Sequence, residues 1–136
     1  MIIKDQFLSP EGLLHIQTLC LSNKDAGEPF TDFDSELYLK CQTIFEGSCT
    51  NAMIYRIKPN TMRNPHKDPK KWSTVFYPFA SDGPLGIWND NHTIKELIEV
   101  KENRLVAYQS GKTMHSQDPP SQGIRYSVAF HWSVSS

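Results

Sequence analysis

Three side chains, remote from one another along the chain, have the types and spacing to hold one metal ion: His66, Asp68 and His115. The first two lie in Asn64-Pro65-His66-Lys67-Asp68-Pro69. In extended backbone, residues i and i+2 project from the same side, so His66 and Asp68 would enter one pocket while Lys67 points away. Pro69 biases Asp68 out of helical geometry toward β or polyproline dihedrals. One imidazole and one carboxylate from a single strand, joined by a distant imidazole, occupy one face of an octahedron and leave three positions open. That arrangement suits non-haem Fe(II). His115, in Lys112-Thr113-Met114-His115-Ser116 ahead of Pro119-Pro120, is the candidate for the distant imidazole. Alone, a His-x-Asp tripeptide more commonly marks a surface loop, so the assignment needs a second, independent feature.

Arg125, ten residues after His115, supplies it. The stretch Gly123-Ile124-Arg125-Tyr126-Ser127-Val128-Ala129-Phe130-His131-Trp132 alternates in character. As a strand it puts Arg125, Ser127, Ala129 and His131 on one face, and Tyr126, Val128, Phe130 and Trp132 on the other. The large apolar set belongs against a core, so the first set lines something else. A guanidinium in a pocket needs a counter-charge. A dicarboxylate ligand is the natural one, because the guanidinium fork matches a carboxylate bidentately, and Ser127 can add a hydroxyl donor to the same carboxylate. The bland alternative for Arg125 is an edge-strand side chain in solvent.

Most of the elements that must position these residues are short and extended. Ser9-Pro10-Glu11 starts a helix, with a Ser cap, Pro at the first helical position and an acid in the first turn. Leu13, Leu14, Ile16, Leu19 and Leu21 continue it to about Ser22-Asn23. Lys24 to Phe33 reads as loop, and residues 35–45 fit either a helix or a strand. After residue 51 the pattern turns to β-type runs at Ala52–Ile57, Ser73–Phe79, Leu85–Trp88, Leu97–Val100, Arg104–Tyr108 and Arg125–Ser133, separated by turn residues. The expectation is a mainly β sandwich or barrel as one domain over residues 1–136, with an N-terminal helical cap at about 1–50 and a β core at about 51–136.

Composition narrows the class. The 136 residues, 38% hydrophobic and 11% aromatic, describe a globular chain rather than a disordered one. A net charge of −1 gives no global field for nucleic acid or a membrane surface. Cys20, Cys41 and Cys49 form no CxxC pair and suit a reducing compartment. The opening residues lack a signal-peptide core, and no apolar run reaches the roughly 20 residues of a bilayer span. A soluble cytoplasmic protein is expected. Its oligomeric state is not legible.

With these residues in view, the chain resembles the Fe(II)/2-oxoglutarate-dependent oxygenases, in particular their prolyl-hydroxylase-like branch. That family carries His-x-Asp, then about fifty residues on a His, then about ten on an Arg-x-Ser. Here His66-x-Asp68 is followed after 47 positions by His115, then by Arg125-x-Ser127. Ala52–Arg56 with Tyr55 resembles the strand before the His-x-Asp, and Ser73–Pro78 the strand after it. Pro84–Ile87 and Asn103–Tyr108 resemble later segments, and Asp5–Glu11 the entry to the first helix. The resemblance covers most of the chain and implies a double-stranded β-helix (jelly roll) with iron in one mouth. It implies His66, Asp68 and His115 as iron ligands, with 2-oxoglutarate held by Arg125 and Ser127 and with Tyr55 as a further donor. It implies that O2 and 2-oxoglutarate are consumed, succinate and carbon dioxide leave, and a substrate C–H bond is hydroxylated, with ascorbate a candidate accessory.

Departures from the pattern bear on the substrate. The second Tyr common before His-x-Asp is missing from Asn60-Thr61-Met62-Arg63, which puts prolyl specificity in question. Asp68 stands where the halogenase branch has a small residue. His131 stands six after Arg125, where the nucleic-acid demethylase branch has a second Arg. The basic run Arg63 to Lys71, followed by Trp72, is either a rim for an acidic or polar substrate or a solvated loop. Trp88 is read as core, and His92 and His131 as structural. The readings carried forward are a hydroxylase of a peptidyl side chain (proline first) or of a small metabolite, a non-catalytic jelly-roll binding protein, and a cupin-type metal enzyme without a co-substrate.

Overall fold

The computed structural model describes residues 1–61, 65–67, 72–88, 91 and 95–134. In chain order the elements are β1 (Ile2–Lys4), α1 (Pro10–Leu21), β2 (Gly27–Pro29), α2 (Glu36–Phe45), β3 (Ser48–Ile57), β4 (Trp72–Tyr77), β5 (Ser81–Trp88), β6 (Lys95–Val100), β7 (Arg104–Tyr108), β8 (Met114–Gln117) and β9 (Arg125–Ser133). They build a six-stranded sheet in the order β1-β7-β4-β9-β3-β2 and a three-stranded sheet in the order β6-β5-β8. All the pairings are antiparallel.

The period-2 alternation of the central strands explains the two cores. From β3, β4, β7 and β9, the side chains of Ile54, Phe76, Leu105, Val128, Phe130 and Trp132 pack against Ile16 and Cys20 of α1 and Leu37 and Cys41 of α2. The alternate residues Val75, Tyr77, Val106, Tyr108 and Ala129 meet Leu85 of β5 and Ile98 and Val100 of β6. The helices thus cover one face of the large sheet and the small sheet covers part of the other. Burial pushes the Cys20 and Cys41 thiols up to about 12, which makes them packing groups rather than nucleophiles.

Residues 35–45 resolve as a helix. Ser35 caps it by accepting from Tyr38 N, and Glu46 ends it at φ 49°. Within the first 50 residues two short strands also join the large sheet, β1 at one edge and β2 at the other. Three residues are too few to show a period, and β2 ends in Pro29, which suits an edge.

The two helix starts are tied together. Ser9 Oγ accepts from Gly12 N (3.1 Å) and donates to Glu36 Oε1 (2.5 Å), while Ser9 N donates to Glu36 Oε2 (2.9 Å). These hydrogen bonds hold the Glu36 carboxyl below its ordinary value of 4.5. A depressed carboxylate contributes stability above its ordinary value and loses it as the pH falls through the folded one. Glu36→Ala is therefore expected to cost about 1 kcal/mol at pH 7, with the difference from the parent chain fading below about pH 4.5. Urea denaturation at the two pH values checks this.

Candidate active site

A cavity of about 110 Å³ opens on the inner face of the large sheet. β9 sends Arg125, Ser127, Ala129 and His131 into it, the same four residues that alternation assigns to one face. β3 contributes Tyr55 and Ile57, β4 Ser73 and Val75, β7 Tyr108, and β8 His115 and Gln117. His66 completes the lining.

Two of the three sequence-assigned metal ligands come together. His66 and His115 form an isolated antiparallel bridge, with His66 N donating to His115 O (2.8 Å) and His115 N to His66 O (2.9 Å). This bridge continues the small sheet beyond β8, and it faces the two rings at 4.4 Å between centroids. The His115 ring is 2% exposed and packs edge-on against Tyr108 at 5.1 Å. Its Nδ1 lies 2.8 Å from Thr113 O. A carbonyl only accepts, so Nδ1 carries the proton and Nε2 presents a lone pair, the tautomer a metal ligand requires. Among the described residues no cluster of three His, Cys, Asp or Glu forms. Asp68 lies outside the described residues, as do His92, Asn89, Asp90 and most of the basic run; from that run, His66 and Lys67 are described and exposed. Two imidazoles side by side, with a carboxylate two residues from one of them in sequence, fit a divalent metal of the ferrous type.

Arg125 lies at the opposite, closed end, only 1% exposed. Its Nη1 donates to Gly83 O (3.0 Å) and to Asp118 O. The Asp118 loop is fixed in turn: Asp118 N donates to Pro84 O (2.9 Å), Ser116 Oγ to Asp118 Oδ1 (2.7 Å) and Trp88 Nε1 to Ser116 Oγ (3.0 Å). Trp88 is half-buried and belongs to this support. The Gly83 and Asp118 carbonyls orient this guanidinium on the same cavity face as Ser127. Tyr55 is paired in register with Ser127 across β3 and β9.

The sequence reading gave no role at the site to three polar groups. Tyr77, fully buried, donates from its hydroxyl to Gln117 Oε1 (3.1 Å). Burial raises its phenol above the ordinary value, and the Arg125 guanidinium acts in the opposite sense. Tyr108 backs His115, and His131 lines the cavity although its sequence position reads as structural. The signal was available for two of them: Tyr77 falls in step with Ser73 and Val75 on β4, and His131 in step with Arg125 on β9.

Gly83 sets the depth of the Arg125 cradle. A Cβ there would stand 2.6 Å from Asp118 O and from Pro120 N. Gly83→Ala must therefore push the Asp118–Pro120 backbone away from the guanidinium. The expected outcome is a folded protein whose affinity for a diacid in this cavity falls about tenfold, the cost of one displaced hydrogen bond to a charged group, as read by calorimetry.

No family model and no curated protein sequence matches the chain. Solved structures do. The viral collagen prolyl hydroxylase vCPH of Paramecium bursaria Chlorella virus-1 superposes with a TM-score of 0.73 at 15% identity, over 98% of this chain and 90% of that one. A Trichoplax adhaerens prolyl hydroxylase, in complex with a hypoxia-inducible-factor oxygen-degradation-domain peptide fragment, gives 0.70 at 12% identity over 96% and 82%. HygX from Streptomyces hygroscopicus with iron bound gives 0.74 at 8% identity over 98% and 82%. The viral enzyme also matches as a 2-oxoglutarate complex, and HygX with nickel and 2-oxoglutarate. The chain therefore has the fold of these proteins, a mainly β double-stranded β-helix with two N-terminal helices.

Proposed function

We propose that the protein is an Fe(II)- and 2-oxoglutarate-dependent dioxygenase that hydroxylates a C–H bond, with a peptidyl proline or other side chain as substrate. The observation that supports this most is the pairing, in one small cavity, of the His66/His115 imidazoles with a buried guanidinium at the far end. Cationic donors deep in a cavity recognise an anion, and two imidazoles at its mouth recognise a metal. A diacid that also chelates metal satisfies both.

In this reading His66, Asp68 and His115 hold the iron, with Thr113 O fixing the His115 tautomer. Arg125, oriented by the Gly83 and Asp118 carbonyls, takes the distal carboxylate of 2-oxoglutarate. Ser127 and Tyr55 donate hydroxyl hydrogens to the same carboxylate, and Tyr77 packs beside them. The apolar side chains of Val75 and Ala129 exclude water from the methylenes between the two ends. Bound iron, together with the 2-oxo acid and O2, supplies the oxidising chemistry; the protein supplies position and charge. Residues 1–136 act as one catalytic unit in this account. Ascorbate is an accessory reductant, and the three thiols fit the cytoplasm. Among the described residues no helix is long and apolar enough to cross a membrane.

The test is succinate formation from 2-oxoglutarate with Fe(II) and ascorbate, scored across peptide, nucleoside and metabolite pools. Stimulation by proline-containing peptides is the expected result. Absence of 2-oxoglutarate turnover with every pool contradicts the reading and favours a binding protein on the same fold.

A further inference from the structure

The loop joining β8 to β9 backs the guanidinium of Arg125. Its first residues, Asp118-Pro119-Pro120-Ser121, form a strap across the start of β5. The strap packs on β5 without slack: a Cβ at Gly83 would lie 2.6 Å from both Asp118 O and Pro120 N, and 2.8 Å from Pro119 C. Pro119 and Pro120 fix φ in the middle of the strap, so a shift at one end is carried to the other. The inner end bears on the guanidinium. Asp118 O accepts from Arg125 Nη1, as does Gly83 O (3.0 Å) from the facing strand.

Backbone hydrogen bonds hold the strap at Asp118, whose N donates to Pro84 O (2.9 Å), and at Pro120, whose O accepts from Asn60 N (3.1 Å). Its outer end is held by a side chain instead. Asp82 Oδ1 accepts from Ser121 N (3.0 Å) and Asp82 Oδ2 from Ser121 Oγ. Both residues are exposed. Hydrogen bonds, first the one from Ser121 Oγ, hold the Asp82 carboxyl below its ordinary value of 3.8, so the acceptor is a carboxylate at neutral pH. Asp82 is the residue before Gly83, and Ser121 ends the strap that Asp118 begins. The Asp82–Ser121 clamp therefore fixes the spacing of the two chain segments whose carbonyls meet at Arg125 Nη1.

We infer that Asp82 is a positioning residue for the co-substrate: by clamping Ser121 on the outside of the fold it holds the β8–β9 strap against Gly83, and so aims the Arg125 guanidinium at its diacid. The inference rests on the reading of the Arg125 pocket as the 2-oxoglutarate site. A bidentate contact depends on the angle of the guanidinium plane, and that plane is set by the two carbonyls that the clamp spaces. Releasing the clamp leaves Arg125 charged and buried but lets its acceptors drift, which weakens the diacid end of the site and spares the metal end.

The experiment measures the Kd for 2-oxoglutarate by anaerobic calorimetry on the Fe(II)-loaded protein, and the Kd for Fe(II) separately. The chains compared are the parent, Asp82→Ala, Ser121→Ala, the double variant, Ser121→Thr and Glu36→Ala. Asp82→Ala and Ser121→Ala are each expected to raise the 2-oxoglutarate Kd about fivefold, the worth of one hydrogen bond, with the Fe(II) Kd within about twofold of the parent's. The double variant is no weaker than either single one, because the two residues share one interaction. Ser121→Thr, which keeps the hydroxyl, restores the parent affinity. Glu36→Ala loosens the fold at the helix starts, away from the strap, and leaves the 2-oxoglutarate Kd unchanged. An unchanged Kd in the two single variants, losses that add in the double variant, a Ser121→Thr as weak as Ser121→Ala, an equal loss in Glu36→Ala, or Fe(II) affinity falling in step would each overturn the inference while leaving the diacid pocket standing. A parent protein that binds no 2-oxoglutarate removes both.

Discussion

Arg125→Met weakens 2-oxoglutarate binding by at least about 100-fold while leaving the chain folded. Arg125 is 1% exposed, so a carboxylate that meets it is paired out of water. Removing one partner of a buried charge pair costs about 3–5 kcal/mol, and each 1.4 kcal/mol is about a tenfold change in affinity; a loss of at least 100-fold follows. Folding responds differently. The substitution removes a costly buried charge, but it also leaves the Gly83 and Asp118 carbonyls without their donor, and these effects oppose. Thermal unfolding separates the two properties. For the parent protein, 2-oxoglutarate at 100 times its Kd adds about 2.7 kcal/mol, which raises Tm by on the order of 10 °C in a chain of this size. The variant unfolds cooperatively at a Tm that 2-oxoglutarate does not move. A ligand shift that survives in Arg125→Met would mean the diacid binds elsewhere.

His115→Ala produces the second large effect, this time on the metal. His115 is the buried member of the imidazole pair, and its Nδ1 is already held by Thr113 O. Loss of a group that only orients a ligand typically costs 10–100-fold in metal affinity; loss of the ligand itself costs more. Fe(II) affinity is expected to fall by more than 100-fold, and succinate formation to below about one thousandth of the parent rate. The backbone bridge to His66 does not depend on the ring, so the strand pairing persists. Chelation of the parent protein's iron should give the same loss, reversed by added Fe(II), whereas added Fe(II) leaves the variant inactive.

The sequence made the long strands and the long helix readable because each has a period. Arg104–Tyr108 and Arg125–Ser133 match the observed bounds, and α1 runs from Pro10 to Leu21 as its cap and apolar spacing imply. The apolar set Val128, Phe130 and Trp132 was sufficient to assign Arg125 and Ser127 to the other face. β8 was not readable. Met114-His115-Ser116-Gln117 has no apolar alternation, and it is a strand because β5 and His66 flank it with hydrogen-bonding edges. Tertiary pairing, not local propensity, made that choice. β1 and β2 were hidden for the same reason. Tyr108 beside His115 and Tyr77 beside Gln117 required the tertiary pairing, whereas His131 lay on the alternating face with Arg125 and was read as structural. The linkage of Arg125 to Gly83 and Asp118 depends on a loop conformation that no spacing encodes.

The most direct test is anaerobic calorimetric titration of 2-oxoglutarate into the protein, with and without one equivalent of Fe(II). The account predicts one molecule bound per chain, and affinity at least tenfold higher with iron than without, because the imidazole pair and the guanidinium hold opposite ends of the same ligand. Binding that ignores the metal, or no binding in its presence, would contradict it.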